Sequence, residues 1–480
     1  MKEALKPRIY GWVLTGVLLI TDIVFICLLA FTSLFTSQIM IICAAVLLVL
    51  TAVVFVLVWD SEKKIRTVIG TALAVILIIA EIIGAYYVNT GAAALKDITN
   101  PSVESSEVGV YVRRDDPAKV IEDTKGYTFG ILKTQDRETT DAAIRKLSIL
   151  LGEDVKVWVY ADMGEMLDGL FISKDVNAIL LNTGFLEALI ELDEYKLVGD
   201  NIRQLHVFHI ETETEKQEVP NDSDTFTMYI SGIDTSGSIS RKSRSDVNIL
   251  ATVNVKTGQV LLISTPRDYY VPLSISNGVP DKLTHAGIYG IDVSRDTLEM
   301  LYETEIDYYF RVNFDGFEEI IDALGGITVY SDYGFWTGVY TYKKGENYLN
   351  GAEALGFARE RYEVPGGDRQ RGKNQMAVIK GVIDKAMGPE LLTNYKEILD
   401  GVTGSFETDM PYQKITELVQ NQLKKGTKWN VTSYSVDGTG STQKPYSLST
   451  NAYVMLPNET TVNHAKELIA QVKNGEIPTP

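Results

Sequence analysis

The sequence predicts an α/β protein: a larger α/β domain with a central mixed sheet, a smaller α/β domain ahead of it, and an N-terminal anchor of three transmembrane helices. Three observations predict this. Apolar content is concentrated before about Val88, in three runs of membrane-spanning length. From Tyr127 strand-like and helix-like segments alternate, and beyond Phe226 two apolar strands fold back about a glycine turn.

The apolar runs cover roughly Tyr10–Phe35, Ile39–Trp59 and Val68–Val88, each near the ~20 residues that cross a bilayer as helix. Lys2, Lys6 and Arg8 precede the first run, Lys63, Lys64 and Arg66 separate the second from the third, and the Phe35–Ile39 link is uncharged. Cations mark the cytoplasmic side, so the N-terminus is expected inside and everything after Val88 outside. No small-residue cleavage site follows the first run, which separates it from a signal peptide. Asp22 and Glu81 fall within the spans, where a carboxylate is either protonated or packed against a neighbouring helix. Cys27 and Cys43 also lie there, which leaves the exported part without an intramolecular disulfide.

The chain of 480 residues carries a formal net charge of −18. Residues 1–96 hold 7 of the 45 Lys+Arg and 5 of the 63 Asp+Glu, which leaves −20 on the remainder. So acidic a surface excludes general nucleic-acid or anionic-lipid binding. A local concentration of arginine within it calls for a specific anion.

Residues 1–90 form the expected anchor and 91–126, with Pro101, a Ser/Glu-rich stretch and Asp115-Asp116-Pro117, a stalk. Residues 127–210 read as an accessory α/β domain: strand Thr128–Leu132, helix Thr140–Leu151, strand Val155–Tyr160, helix Gly164–Ile172, strand Ala178–Leu181 and helix Phe185–Leu192. This βαβαβ pattern predicts a parallel sheet. The module has no glycine-rich phosphate loop and no clustered His or Cys, so a spacer and a ligand-sensing or docking role both remain open for it. Charged residues over 211–225 read as a linker to the larger domain, 226–480.

In the larger domain Phe226–Ile233 reads as a strand, and Val247–Val255 and Gln259–Ser264 as a hairpin turning at Lys256-Thr257-Gly258. Leu298–Leu301 and Phe317–Leu324 have helical spacing, the latter ending at Gly325-Gly326 before a strand at Ile327–Tyr330. Folding the hairpin with Val255 opposite Gln259 brings Asp246 and Arg267 to one open end, though on opposite faces by strict alternation. Arg244 lies just before Asp246, and Asp234 ends the preceding strand. Phe357–Arg361 has strand character, which would put Arg359 and Arg361 on one face. After Gly366-Gly367 a helix is expected on which Asp368, Arg371 and Gln375 share a face and Arg369 does not. Each pair alone would read as a solvated ion pair, but repetition at element ends points to an anion site.

This ordered set resembles the LytR-CpsA-Psr (LCP) family from about Phe226 to the C-terminus. The resemblance is carried by Gly232-Ile233-Asp234, Ser243-Arg244-Ser245-Asp246, Thr265-Pro266-Arg267-Asp268, Asp281-Lys282-Leu283, Ala323-Leu324-Gly325-Gly326, Arg359-Glu360-Arg361 and Asp368 with Arg371 and Gln375. The three-span anchor and extra exported domain look most like its streptococcal capsule-associated branch. The resemblance implies an α-β-α layered domain that transfers a glycopolymer from polyprenyl (undecaprenyl) pyrophosphate to peptidoglycan, with Mg²⁺ beside the phosphates and the prenyl chain in an apolar tunnel. Arg244, Arg267, Lys282, Arg359, Arg361, Arg371 and Gln375 would bind pyrophosphate, since guanidinium forks match phosphate oxygens in pairs. Asp234 and Asp246 would hold Mg²⁺. Arg267, Asp368, Arg371 and Gln375 would carry the chemistry, Asp368 as base toward an attacking sugar hydroxyl.

Tyr362–Gly367 lacks the charged character common in the family, and Lys373 and Asn374 stand where glutamines or arginines are frequent, which bears on acceptor contacts. His285 reads as a structural histidine without a serine–carboxylate context. The apolar elements could line a lipid tunnel or form ordinary core, and capsule, teichoic acid and rhamnose polysaccharides all present the same pyrophosphate. A polyprenyl-pyrophosphate hydrolase and a non-enzymatic envelope sensor are the alternative functions.

Overall fold

The computed structural model describes all residues except 1, 33–34, 60–63, 100–102, 214–222, 234, 236–237, 388–403, 405 and 449. The described residues divide into two compact units, one within 2–99 together with 410–428, the other the rest.

The first unit holds α1 (Lys2–Thr32), α2 (Ser37–Trp59) and α3 (Lys64–Ile98). Ile9–Thr32, Ser37–Trp59 and Lys64–Ala93 are long and apolar enough to cross a membrane. Asp22 is packed against its neighbour, accepting a hydrogen bond from Thr51 Oγ1 of α2 at 2.7 Å. A helix at Tyr412–Lys425 (α13) belongs to the same unit, and its Tyr412 hydroxyl donates to the carbonyl of Thr32.

The second unit begins with β1 (Val103–Arg113), followed by β2 (Thr128–Leu132), α4 (Arg137–Leu151), β3 (Lys156–Tyr160), α5 (Met163–Phe171), β4 (Ala178–Asn182), α6 (Thr183–Ile190), α7 (Val198–Asn201) and β5 (Ile202–Glu213). Their sheet has the order β3-β2-β4-β1-β5. β2 pairs parallel with β3 and β4 as the βαβαβ pattern predicts, while β1 is antiparallel to β4 and β5.

The stalk expectation is therefore corrected: α3 runs to Ile98 and β1 is an inner strand of the accessory sheet. Val108, Val110 and Val112 are fully buried, and the polar residues Glu104 and Ser106 also point inward, which hid the strand's alternation. β5 likewise extends to Glu213, into the expected linker.

The larger domain continues with β6 (Thr225–Ile233), β7 (Ser245–Asn254), β8 (Gln259–Ser264), β9 (Tyr270–Pro272), β10 (Pro280–Lys282), α8 (Leu283–Tyr289), α9 (Ile291–Tyr302), β11 (Tyr308–Val312), α10 (Phe314–Ala323), β12 (Ile327–Ser331), β13 (Phe335–Trp336), β14 (Thr341–Tyr342), β15 (Gly345–Leu349), α11 (Gly351–Arg359), α12 (Asp368–Ala386) and β16 (Phe406–Thr408). After α13 come β17 (Asn430–Ser435), β18 (Gly438–Gln443), β19 (Ala452–Pro457) and α14 (Glu459–Lys473). The central sheet is mixed, in the order β16-β11-β6-β7-β8-β17. On one face Leu250, Leu261 and Ile263 pack against α8, α9 and α14 through Leu283, Leu298 and Leu468. On the other Ile249, Val260 and Leu262 meet Met376 of α12. The result is an α-β-α sandwich, each sheet face hidden by helices.

The accessory and larger domains share a core. Ile288, Leu448 and Ala452 sit in one apolar cluster with Leu181, Phe185 and Leu189. Arg311 of β11, fully buried, bonds Glu104 of β1 at 2.5 Å and pairs with Glu407 of β16. Burying Arg311 is tolerable because two acidic side chains flank it.

Candidate functional site

The site starts from the β7–β8 turn. Asn254 Oδ1 accepts the backbone N–H groups of Lys256 at 3.1 Å and Thr257 at 3.0 Å, and Gly258 takes the left-handed φ of +68°. This pairs Asn254 with Gln259, one residue away from the expected Val255–Gln259 pairing. The ladder ends at Ile249↔Ser264; beyond it a bulge that skips Asp246 in β7 and the chain leaving β8 bring Asp246 and Arg267 together at the shared open end. Arg267 Nη1 donates to Asp246 Oδ2 at 2.7 Å, and Thr284 Oγ1 at the start of α8 donates to Asp246 Oδ1 at 3.1 Å. Lys282 Nζ lies 3.1 Å from Asp268 Oδ1, and Arg267 Nε 3.8 Å from Asp268 Oδ2.

α12 brings the second group. Asp368 and Arg371 pair across its first turn, and Gln375 Nε2 donates to the carbonyl of Ala358 at 3.4 Å, tying α12 to α11. A Cβ at Gly372 would stand 2.5 Å from Ser264 Oγ, so the absence of a side chain lets this turn lie against the end of β8 with the Ser264 hydroxyl where it is. A crevice results, lined by Asp246, Ser264, Arg267, Asp368, Arg371 and Gln375.

The other expected members are placed differently. Arg359 and Arg361 are not on a strand: Gly351–Arg359 is helix, started by an Asn350/Glu353 capping box. Arg359 stacks over the Phe314 ring at 4.3 Å and Arg361 over Tyr362 at 4.8 Å, so their shared face is lost. Arg361 is nonetheless close enough to Arg371 to act on it electrostatically. Arg244 meets Glu191, just past α6, at 2.6 Å. Asp234 lies outside the described residues. Among the described residues no three His, Cys, Asp or Glu side chains gather as a metal cage. Asp246 and Asp368 both line the crevice, and one or two carboxylates alongside phosphate oxygens are what Mg²⁺ commonly takes, so the donor chemistry fits an ion shared with a substrate.

Electrostatics favour an anion. Burial works to lower Arg267, yet Asp246, Asp268, Glu191 and Asp368 together hold it above the ordinary arginine value. Arg371 goes the other way: burial, with Arg267 and Arg361 nearby, depresses it despite Asp368 and Asp246. Buried Nε atoms of Arg244 and Arg267 have no hydrogen-bond partner. Guanidinium groups crowded together in this way have the chemistry to take phosphate oxygens in pairs.

His285 does have a serine and a carboxylate beside it, contrary to the sequence reading: Asp281 Oδ1 at 2.7 Å and Ser447 Oγ at 2.8 Å. Both bond the same nitrogen, Nδ1, and all three side chains are buried. A relay needs both ring nitrogens, so the group is a structural tie between α8 and the chain near Ser447.

Sequence reasoning missed Thr284, Ser264, Gly372 and Glu191. Thr284 follows Lys282-Leu283 directly and was within reach of the motif, whereas Glu191 sits in a different domain and carries no local signal. Beyond the crevice, along the flank of α12, lies a cavity of about 490 Å³ with Tyr330, Asp332, Lys373, Lys380 and Tyr434 on its walls and Ser435 common to both.

A model of the LytR_cpsA_psr family matches residues 200–469. The polyisoprenyl-teichoic acid–peptidoglycan teichoic acid transferase TagU of Bacillus subtilis is 33% identical over 227 residues, 47% of this chain and 72% of that protein. TagU of Enterococcus faecalis is 34% identical over 212 residues, 44% of this chain and 69% of its own. Among solved structures, B. subtilis TagV aligns at 27% identity over 53% of this chain and 98% of that one, with a TM-score of 0.44.

Proposed function

Since this chain belongs to the LytR-CpsA-Psr family, we propose that it is a membrane-anchored glycopolymer ligase, moving a glycan from a polyprenyl pyrophosphate carrier to peptidoglycan outside the cell membrane. The observation that carries this reading is the crevice between β8 and α12, where the guanidinium groups of Arg267 and Arg371 converge.

In this reading Arg267 and Arg371 grip the pyrophosphate, and Arg244, Lys282 and Arg361 add positive charge around it. A sugar hydroxyl of peptidoglycan attacks the phosphorus that bears the glycan. Its proton passes to Asp368, whose carboxylate is partly exposed and held by Arg371. The bridging P–O bond breaks, and the electron pair leaves on polyprenyl phosphate. Charge growing there is stabilised by guanidinium groups already in place, the kind of electrostatic help that costs no reorganisation. Gln375 orients a phosphate oxygen or Asp368. Mg²⁺ held at Asp246, with Asp234, would neutralise phosphate charge. The glycan extends into the cavity along α12, where Tyr330 and Tyr434 offer aromatic surface and Lys373 and Lys380 positive charge.

Purified full-length protein tests this with lipid-linked glycan and peptidoglycan. Arg267→Ala and Arg371→Ala each abolish transfer while the fold persists; undiminished transfer by both would refute the assignment.

A further inference from the structure

We propose that the accessory domain places Glu191 in the pyrophosphate site as a displaceable counter-ion, so that the resting enzyme holds Arg244 with an internal carboxylate that incoming pyrophosphate must replace. The proposal rests on the reading of the crevice as a pyrophosphate site.

Four observations support it. Glu191 reaches Arg244 Nη1 at 2.6 Å, and its charge is also felt by Arg267. The contact is built in by packing: Phe185 of α6 meets Tyr289 of α8 edge-on at 5.3 Å, and Gly184 lies so close to Ile288 that a Cβ would be 3.0 Å from it. Arg241 fixes the same helix through Glu187 at 3.1 Å and joins it to Glu107 of β1 at 3.2 Å. α6 is thereby held in place, and its C-terminal end delivers Glu191 to Arg244, which lies beside the crevice within electrostatic reach of Asp246 and Arg267.

The fourth observation is the asymmetry of the pair. The Arg244 side chain is 10% exposed and keeps an unpartnered buried Nε, whereas Glu191 is 50% exposed. Asp246, Asp268 and Asp368, which face the other cations, are all more buried than that. An ion pair with one half-exposed member is worth little, so Glu191 can swing into water at small cost and free a guanidinium that is already fixed. No bond is made or broken in this exchange. Its effect is on affinity: one negative charge near the phosphates is removed before they bind.

The test measures binding of inorganic pyrophosphate, and of a short polyprenyl pyrophosphate, to full-length protein in zwitterionic nanodiscs. Glu191→Ala and Glu191→Gln are expected to tighten binding by roughly two- to fivefold, the equivalent of one exposed pair. Adding Arg244→Ala should erase that gain. Weaker binding in Glu191→Ala, with Glu191→Gln normal, would instead make Glu191 a positioning residue and overturn the proposal, as would no change in either. Binding that is lost in Arg267→Ala yet indifferent to Glu191 overturns only the counter-ion. Binding indifferent to Arg267, Arg371 and Glu191 alike overturns the pyrophosphate site with it.

Discussion

Asp246 and Arg267 meet at the open end of the β7–β8 hairpin, joined at 2.7 Å with Thr284 on the second carboxylate oxygen. Arg267 thus engages Asp246 through Nη1 and lies with its Nε 3.8 Å from Asp268 Oδ2. A lysine carries the same charge but has no planar fork to do both. Arg267→Lys is therefore expected to lose at least tenfold in transfer rate while unfolding at the wild-type temperature. Steady-state kinetics with calorimetry on the same preparation checks both halves.

The approach of α12 to β8 is set by a missing Cβ. Gly372→Ala would put a methyl group 2.5 Å from Ser264 Oγ, so that either this hydroxyl rotates or the Arg371 turn moves outward, and the second is expected. Overpacking of this kind costs about 1–3 kcal/mol, and the displaced guanidinium should cost transfer more than stability. Ser264→Ala removes the clashing oxygen and leaves its Cβ at an ordinary 3.5 Å. The double variant should recover most of the transfer rate, and failure to recover would place the defect elsewhere.

His285, Asp281 and Ser447 form a buried group that imitates a catalytic arrangement without its geometry. His285→Ala leaves buried partners unsatisfied, at about 1–3 kcal/mol. The unfolding midpoint should fall, while the pH profile of transfer by the folded fraction stays that of wild type. A pH profile that changes shape would give His285 a role in the chemistry.

Glu407 is held at about 7, chiefly by burial and then by Glu104, against the pull of Arg311. An acid whose folded pKa is raised stabilises the fold while protonated. Its contribution is fully present below its ordinary value of 4.5 and is lost as pH rises towards 7. Asp409, raised by burial to about 6, acts with the same sign over a lower window. Stability should therefore decline between about pH 4.5 and 7, and the portion between 6 and 7 should disappear in Glu407→Gln. Unfolding midpoints across this range are the readout, and a flat wild-type profile would contradict the assignment.

Much of the fold was legible because hydrophobic period and glycine punctuation are local. β2, α4, β3, α5, β4 and α6 all lie within a few residues of their expected limits. What failed depended on side chains acting on the backbone or on distant partners. The hairpin register turned on Asn254 capping its own turn, which a pairing count cannot see. The helix at Gly351–Arg359 was announced by Asn350 and Glu353, but the alternating arginines at its end masked the signal. β1 was hidden by Glu104, an acid that is tolerable inside only because Arg311 lies 207 residues away. Within the site, Arg267, Asp368 and Arg371 were readable as charges at element ends, whereas Glu191 comes from another domain.

The most direct measurement follows both products of one reaction, using lipid-linked glycan with and without peptidoglycan. The account predicts glycan joined through phosphate to peptidoglycan, one polyprenyl phosphate released per glycan transferred, and neither product without the acceptor. Polyprenyl phosphate released at full rate in the absence of peptidoglycan, with the glycan left free in solution, would contradict it.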